Sequence, residues 1–258
     1  MGTFFAYGTE LPEDSGYGLF SMTHIMIMLF CFILISSVLF LFRNSENKNR
    51  VCRIVSVIPV LLIIIRGIYA VACRAPFLYE LPLHLCSLTG FMCLAYDLSS
   101  RKHLFLHSVL GHTLYSLCLP GAFLALVFPD ATFYPAIHFI TIESYLFHTL
   151  IIAYIILKLI DKSIVPDIRD AYKTVIFLIV LIPPMMLFDH CFKVNYMYLT
   201  GPSAGSPLSG FYTAGGYPGY LIGYGIVALC VICVMELIGM IVSSHIPENK
   251  DTKSSQNN

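Results

Sequence analysis

Nine histidines and nine cysteines occur in this chain, and five of them stand in or beside apolar runs where they could do chemistry: His84, Cys86, His112, His138 and His148. A thiol becomes a nucleophile when a nearby base takes its proton, and a neutral imidazole is the usual base near pH 7. On a regular helix His84 and Cys86 are about 200° apart at ~100° per residue. The base for Cys86 must therefore come from another helix. His148 and His112 are the candidates, with His84, His112 and His138 available to orient groups or shuttle protons. Arg66, Glu143, Tyr145, Asn195 and Tyr196 are the polar residues placed to meet a substrate. A guanidinium binds phosphate oxygens bidentately, which suits Arg66 to a lipid phosphate; its alternative is an ion pair with Glu80 or Glu143. For each histidine the alternative is hydrogen bonding between helices, worth about 1 kcal/mol. His103 and His107 have the spacing of a metal pair, but no carboxylate is spaced to join them, and no metal or cofactor is expected.

The elements that must position these residues are membrane helices. Of 258 residues 57% are hydrophobic and 12% charged, and the mean hydropathy is +0.79. A soluble domain of this size could not hide so much apolar surface. Fifteen basic and fifteen acidic residues cancel, leaving no basic stripe for nucleic acid. Runs of roughly 18–25 apolar residues cross a bilayer. Seven are present: Leu19–Phe42, Cys52–Ala72, Leu81–Leu98, His103–Phe128, Phe133–Ile160, Tyr172–Phe188 and Gly219–Val242. The first is too long for a cleavable signal core and is read as an anchor. No internal repeat is visible, which argues against inverted-repeat transporter folds.

Twelve of the fifteen basic residues fall on the side reached after odd-numbered helices: Arg43, Lys48, Arg50, Arg53, Arg101, Lys102, Lys158, Lys162, Arg169, Lys173, Lys250 and Lys253. The positive-inside rule then puts the N-terminus outside and the C-terminus inside. Residues 1–18 form an outer segment, 19–242 the seven-helix domain, 189–218 a long outer loop and 243–258 a polar inner tail. Most polar residues at membrane depth are assigned by this order to the outer half, with His112 near mid-membrane. Three helical faces carry them: Cys86, Gly90, Cys93 and Asp97; Ser108, His112 and Tyr115; and His138, Thr141, Tyr145, His148 and Thr149. Cys73 and Cys191, both at the outer face, could pair, and Lys193–Pro218, rich in Gly, Pro and Tyr, is read as a lid.

The run Leu81-Pro82-Leu83-His84-Leu85-Cys86 resembles the L-P-x-H-x-C opening of a helix in the YwaF-like / transmembrane protein 164 family. Pro129-Asp130, Tyr134-Pro135, His148, Asn195-Tyr196-Met197-Tyr198-Leu199, Pro202 and Tyr217-Pro218 are similar to further family positions, in the same order. The resemblance implies a polytopic fold of six or seven helices. From the family's animal branch it also implies transfer of a fatty acyl group to a lysophospholipid by an intramembrane Cys and His. His148 matches the family's histidine. The family's cysteine directly precedes the motif histidine, where this chain has Leu83, and Cys86 is the residue that would take over. The resulting expectation is an all-α, polytopic integral membrane protein of the plasma membrane. It would act on phospholipid or lysophospholipid in the outer half of the bilayer, by acyl transfer or hydrolysis. The alternative is a non-enzymatic binder or transporter using the same polar cavity, with Glu236 and Asp97 extending the path inward.

Overall fold

The computed structural model describes residues 3–12, 14–99, 104–202, 206 and 208–245. Seven helical spans follow one another: α1 Met22–Asn44, α2 Lys48–Ala72, α3 Leu85–Leu98, α4 Leu104–Val127, α5 Phe139–Ile160, α6 Ala171–Phe192 and α7 Ser209–His245. No strand occurs among the described residues. Six of the spans are long and apolar enough to cross a membrane. The seventh, α3, has 14 residues and rises about 21 Å at 1.5 Å per residue, short of the ~30 Å hydrocarbon core. Helical spans alternate in direction. The side on which α1 begins is called here the N-side; it carries the segments before α1, between α2 and α3, between α4 and α5, and between α6 and α7.

Caps and breaks account for the boundaries. Ser21 accepts the His24 amide at 3.3 Å and starts α1, and Asn47 accepts the Arg50 amide at 3.1 Å and starts α2, both as N-cap side chains do. A π-turn at Leu114–Cys118 interrupts α4. In α7 the chain breaks at Gly216, whose φ of 60° and ψ of −157° only glycine adopts freely. The preceding turns fold back so that the Phe211 ring lies against Gly223. With α6 running to Phe192 and α7 starting at Ser209, the long N-side connection shortens from the expected 189–218 to 193–208.

Helix α5 is the hub. It packs against α1, α2, α3 and α4, while α6 lies on α4 and α7 packs on the π-turn of α4 and on α6. Ile151, Ala153, Tyr154, Ile155 and Leu157 of α5 are fully buried. The outer helices keep large apolar side chains exposed, among them Phe30, Phe32 and Phe40 of α1, Ile179 and Leu187 of α6, and Ile222 and Ile226 of α7. In water such a surface would drive aggregation; in a bilayer it is the lipid-facing skin of an integral membrane protein.

The segment before α1 does more than precede it. Ala6 carbonyl accepts from both Tyr69 hydroxyl (3.2 Å) and His138 Nε2 (3.0 Å), Phe5 carbonyl accepts the Cys73 thiol at 3.5 Å, and Tyr17 amide donates to Thr132 carbonyl at 3.0 Å. The segment thereby ties α2, α5 and the α4–α5 connection together across the N-side. Cys73 and Cys191 are free thiols, like the other seven cysteines. Residues 246–258, which hold Lys250, Lys253 and nearly all of the expected inner tail, lie outside the described residues, as do Arg101, Lys102 and His103.

Candidate active site on the N-side

Helices α3 and α5 both start on the N-side and run side by side. Three contacts register them. A side chain at Gly90 would meet the Phe147 ring at 3.2 Å, Cys93 carbonyl accepts Tyr154 hydroxyl at 2.9 Å, and Asp97 pairs with Lys158 at 2.7 Å. Gly90 and Asp97, on the α3 face read from the sequence, thus meet α5, and they meet α2 as well through Ile63 and Ser56. One turn above Gly90, Cys86 stands in the first turn of α3, close behind the N-cap residue His84. A helix N-terminus is where backbone N–H groups lack partners and favour a developing negative charge.

His148 follows Phe147 on α5, about one turn further into the bundle than Cys86 by the Gly90–Phe147 contact. Its Nδ1 donates to Ser144 carbonyl at 2.7 Å, so the ring bends back toward the start of the helix, as long side chains do. Because a carbonyl only accepts, Nδ1 carries the hydrogen and Nε2 is left as the basic nitrogen of the neutral ring. His84 has the opposite tautomer. Its Nδ1 accepts the Met197 amide at 3.4 Å, and its ring lies 4.9 Å from Tyr196 and 5.8 Å from Tyr198. Among the described residues, Cys86 makes no hydrogen bond to a histidine. The Tyr198 ring, 5.8 Å from that of His84, links this end of α3 to Asp130 in the connection between α4 and α5. Asp130 Oδ2 accepts Tyr198 hydroxyl at 2.9 Å. The sequence reading carried Asp130 and Tyr198 only as parts of motifs; the pairing depends on two connections 68 residues apart, which no local pattern reveals.

Arg66 realises both of its expected ion pairs. Nη1 lies 3.1 Å from Glu143 Oε2, and Nε lies 3.6 Å from Glu80 Oε2. Tyr7 hydroxyl donates to the other Glu80 oxygen at 2.8 Å. Burial and the Glu80 carboxylate push the Tyr7 phenol above its ordinary range, which keeps it a donor. One guanidinium between two carboxylates leaves this cluster formally negative, unfavourable for a phosphate. Tyr145 accepts Tyr17 hydroxyl at 3.1 Å. His138 has both nitrogens engaged, because Nδ1 accepts the Ile140 amide at 3.1 Å as the α5 N-cap while Nε2 bonds Ala6. It is not brought to Cys86.

His112 lies elsewhere. Nδ1 is 2.9 Å from Glu236 Oε1 and Nε2 3.2 Å from Asp170 Oδ2. Lys173 joins Asp170 at 2.9 Å and Ser108 at 2.7 Å, and Tyr115 donates to Met235 carbonyl at 2.7 Å. The stripe Ser108, His112 and Tyr115 therefore exists, but it faces α6, α7 and the connection before α6, on the side opposite Cys86. The expectation that His112 serves Cys86 as base or proton shuttle is corrected: helical phase gives the stripe but not its partner, and Asp170 and Glu236 hold the ring. Together with Lys158, Asp97 and Ser56, which donates to Asp97 at 2.9 Å, these residues make a second polar set in the other half of the protein.

Asn195 and Tyr196 build the connection between α6 and α7. Asn195 Oδ1 accepts the Thr200 amide and Nδ2 donates to Gly201 carbonyl, both at 2.9 Å. Tyr196 is buried; its hydroxyl donates to Leu78 carbonyl at 2.6 Å and its amide to Asp189 Oδ1 at 3.0 Å. Met197 and Tyr198 both adopt left-handed backbone, with φ of 55° and 57°, uncommon for such side chains. Three tyrosines of α7 clasp this turn: Tyr224, Tyr220 and Tyr217 donate to the carbonyls of Met197, Tyr198 and Leu199 at 3.2, 2.6 and 3.2 Å. These hydrogen bonds tie residues 195–201 to one another and to α7. Part of the segment read as a lid, residues 203–205 and 207, lies outside the described residues.

No curated protein and no solved structure matches the chain. The profile described as the TMEM164 family matches residues 19–236, a stretch that contains His84, Cys86, Asp130, His148, Tyr198 and nearly all of the seven spans. The match covers most of the chain, and its apolar helical architecture agrees with it: this chain belongs to the TMEM164 family of membrane proteins.

Proposed function

We propose that the protein is a lipid acyltransferase whose nucleophile is Cys86 and whose base is His148, working on phospholipid and lysophospholipid in the outer leaflet of the plasma membrane. The observation that supports the reading is the tautomer of His148, fixed through Ser144 so that Nε2 is the basic nitrogen, on a helix that packs beside α3, whose first turn carries Cys86. In the first half-reaction the Cys86 proton passes to His148 Nε2 as Sγ attacks the ester carbonyl carbon of a phospholipid. The ester C–O bond breaks, the leaving alkoxide takes the proton from His148, and a thioester remains on Cys86. In the second, a lysophospholipid hydroxyl gives its proton to His148 and attacks the thioester. The C–S bond breaks and the thiolate recovers the proton. Water in place of the acceptor gives hydrolysis. Apo sites commonly hold such groups beyond hydrogen-bond distance until substrate closes the gap.

The binder or transporter reading draws on the second polar set around His112, Glu236 and Asp97, which supplies polar groups at another depth. The two are separated by incubating the purified protein in nanodiscs with a phospholipid donor and a labelled lysophospholipid. The acyltransferase reading expects labelled diacyl product from wild type and none from Cys86→Ser or His148→Ala. Wild-type protein that binds the lipid but yields no product would favour the binder.

A further inference from the structure

Two hollows on the lipid-facing surface differ in what lines them. One runs along α1 from Phe32 to Leu41 and measures about 600 Å³. Its two hydroxyls, Ser36 and Ser37, donate to the Phe32 and Ile33 carbonyls of their own helix at 2.9 and 2.8 Å, so nothing is left there to recognise a headgroup. The other measures about 520 Å³ and lies on the N-side, where Met186, Leu187, His190, Thr200, Tyr212 and Tyr217 line it. That volume is in the range of small-ligand sites. Its wall changes character with depth. Because α6 runs toward the N-side, Met186 and Leu187 lie about one turn deeper in the bilayer than His190. At the shallow end, the side chains of His190, Thr200 and Tyr212 make no hydrogen bond among the described residues. By contrast His24, His84, His107, His112, His138 and His148 each have one. The break at Gly216 turns the start of α7 back, and Phe211 packs where a Cβ at Gly223 would otherwise stand. This contact sets its neighbour Tyr212 on the rim, while Tyr217 is held by the Leu199 carbonyl at 3.2 Å.

We infer that the N-side hollow is a binding site for a single-chain glycerophospholipid, whose acyl chain lies along Met186 and Leu187 and whose glycerol end meets His190, Thr200 and Tyr212. The order of the wall, apolar deep and polar shallow, is the order of chain and headgroup in a lipid at that depth. Leu187 is 65% exposed, so the hollow opens sideways to the bilayer and a lipid enters without crossing water. One apolar strip receives one chain. The rim offers hydroxyls and an imidazole, and no lysine or arginine lines it. Such groups both donate and accept, which suits the free hydroxyl and the ester oxygen of a lysolipid better than a bare carboxylate. Contacts run on from the hollow to the start of α3. The Tyr212 ring lies 6.1 Å from that of Tyr220, which lies 5.9 Å from that of Tyr224. Tyr224 donates to the carbonyl of Met197, whose amide meets His84. As a dock for the acyl acceptor the hollow rests on the acyl-transfer reading; as a lipid site it does not.

The test is photolabelling in nanodiscs of diacyl phosphatidylcholine, using lysophosphatidylcholine with a diazirine in its chain and mapping the adducts on peptides. Adducts at Met186, Leu187, Tyr212 and Tyr217 should saturate as the lysophosphatidylcholine fraction rises. Adducts on the α1 strip Phe32–Leu41 should rise in proportion to it, as annular lipid does. Thr200→Trp, which fills the hollow, should abolish the saturable adducts and leave those on α1 unchanged, which excludes unfolding as the cause. His190→Ala/Tyr212→Phe keeps the space but strips the rim. It should raise the half-saturating fraction about tenfold, the size expected for two lost hydrogen bonds. A fatty acid with the same diazirine should need a higher fraction than the lysolipid and be indifferent to that double substitution. Adducts at the hollow that rise in proportion and survive Thr200→Trp overturn the inference. Equal saturation by the fatty acid, with no effect of the double substitution on either lipid, overturns the glycerophospholipid assignment. Saturable labelling of a protein that turns over no lipid leaves the site standing and overturns the acyl-transfer reading alone.

Discussion

Replacing Arg66 by methionine separates its two possible uses. Its guanidinium lies 3.1 Å from Glu143, whose side chain is 5% exposed, and 3.6 Å from Glu80, which is 14% exposed. Without it, two carboxylates share a dry site with only Tyr7 to donate to one of them. Breaking a fully buried pair costs about 3–5 kcal/mol, and losing a surface pair under about 1 kcal/mol. Arg66 itself is 39% exposed, which places the expected loss between these limits, at about 2–3 kcal/mol. Equilibrium unfolding in mixed detergent micelles, followed by helical circular dichroism, measures it. The double variant Arg66→Met/Glu143→Gln should recover most of the loss, because the amide no longer needs a counter-charge. If Arg66→Met is as stable as wild type and its only defect is a raised KM for lysophospholipid, the ion-pair account is wrong and Arg66 binds phosphate.

Asp97→Ala should cost about 3–5 kcal/mol in the same assay, since it strands Lys158 among apolar groups and tyrosine rings; Asp97→Ala/Lys158→Met should regain most of it, and a loss below about 1 kcal/mol would mean that Lys158 reaches water unaided. His112→Ala should destabilise the protein through Glu236 and Asp170, yet leave lipid turnover per folded molecule unchanged. A loss of turnover at constant folded fraction would return His112 to the catalytic set. A cysteine placed at Ser206 should react with an impermeant thiol reagent added outside cells, and one at Ser254, in the stretch outside the described residues, should not; the reverse pattern would invert the proposed orientation.

The helices were legible because membrane spans are written in runs of apolar residues, and the predicted and observed bounds differ mainly at the ends. The α3 face was legible too, since Cys86, Gly90, Cys93 and Asp97 repeat at helical spacing and Gly90 leaves room for Phe147. Helical phase also identified the stripe on α4 but not its partner. Ser108, His112 and Tyr115 could have faced α5, and only the packing of α6 and α7 on α4 decides otherwise. The N-terminal segment gave no signal of its role, because its bonds through Ala6 and Phe5 use backbone carbonyls that any residue possesses. The contact between Asp130 and Tyr198 was invisible for a related reason: it forms through a turn that three α7 tyrosines hold in a left-handed form. Composition suggested a flexible connection there, and it is residues 195–201 that carry hydrogen bonds to one another and to α7.

The central claim is that Cys86 carries the acyl group. Wild-type protein incubated with phospholipid and no acceptor, acid-quenched and mapped by mass spectrometry, tests it most directly. The account predicts a fatty acyl adduct on the Cys86 peptide that hydroxylamine removes and that His148→Ala fails to form. It is contradicted if the Cys86 peptide stays unmodified while Cys86→Ser turns over lipid at the wild-type rate.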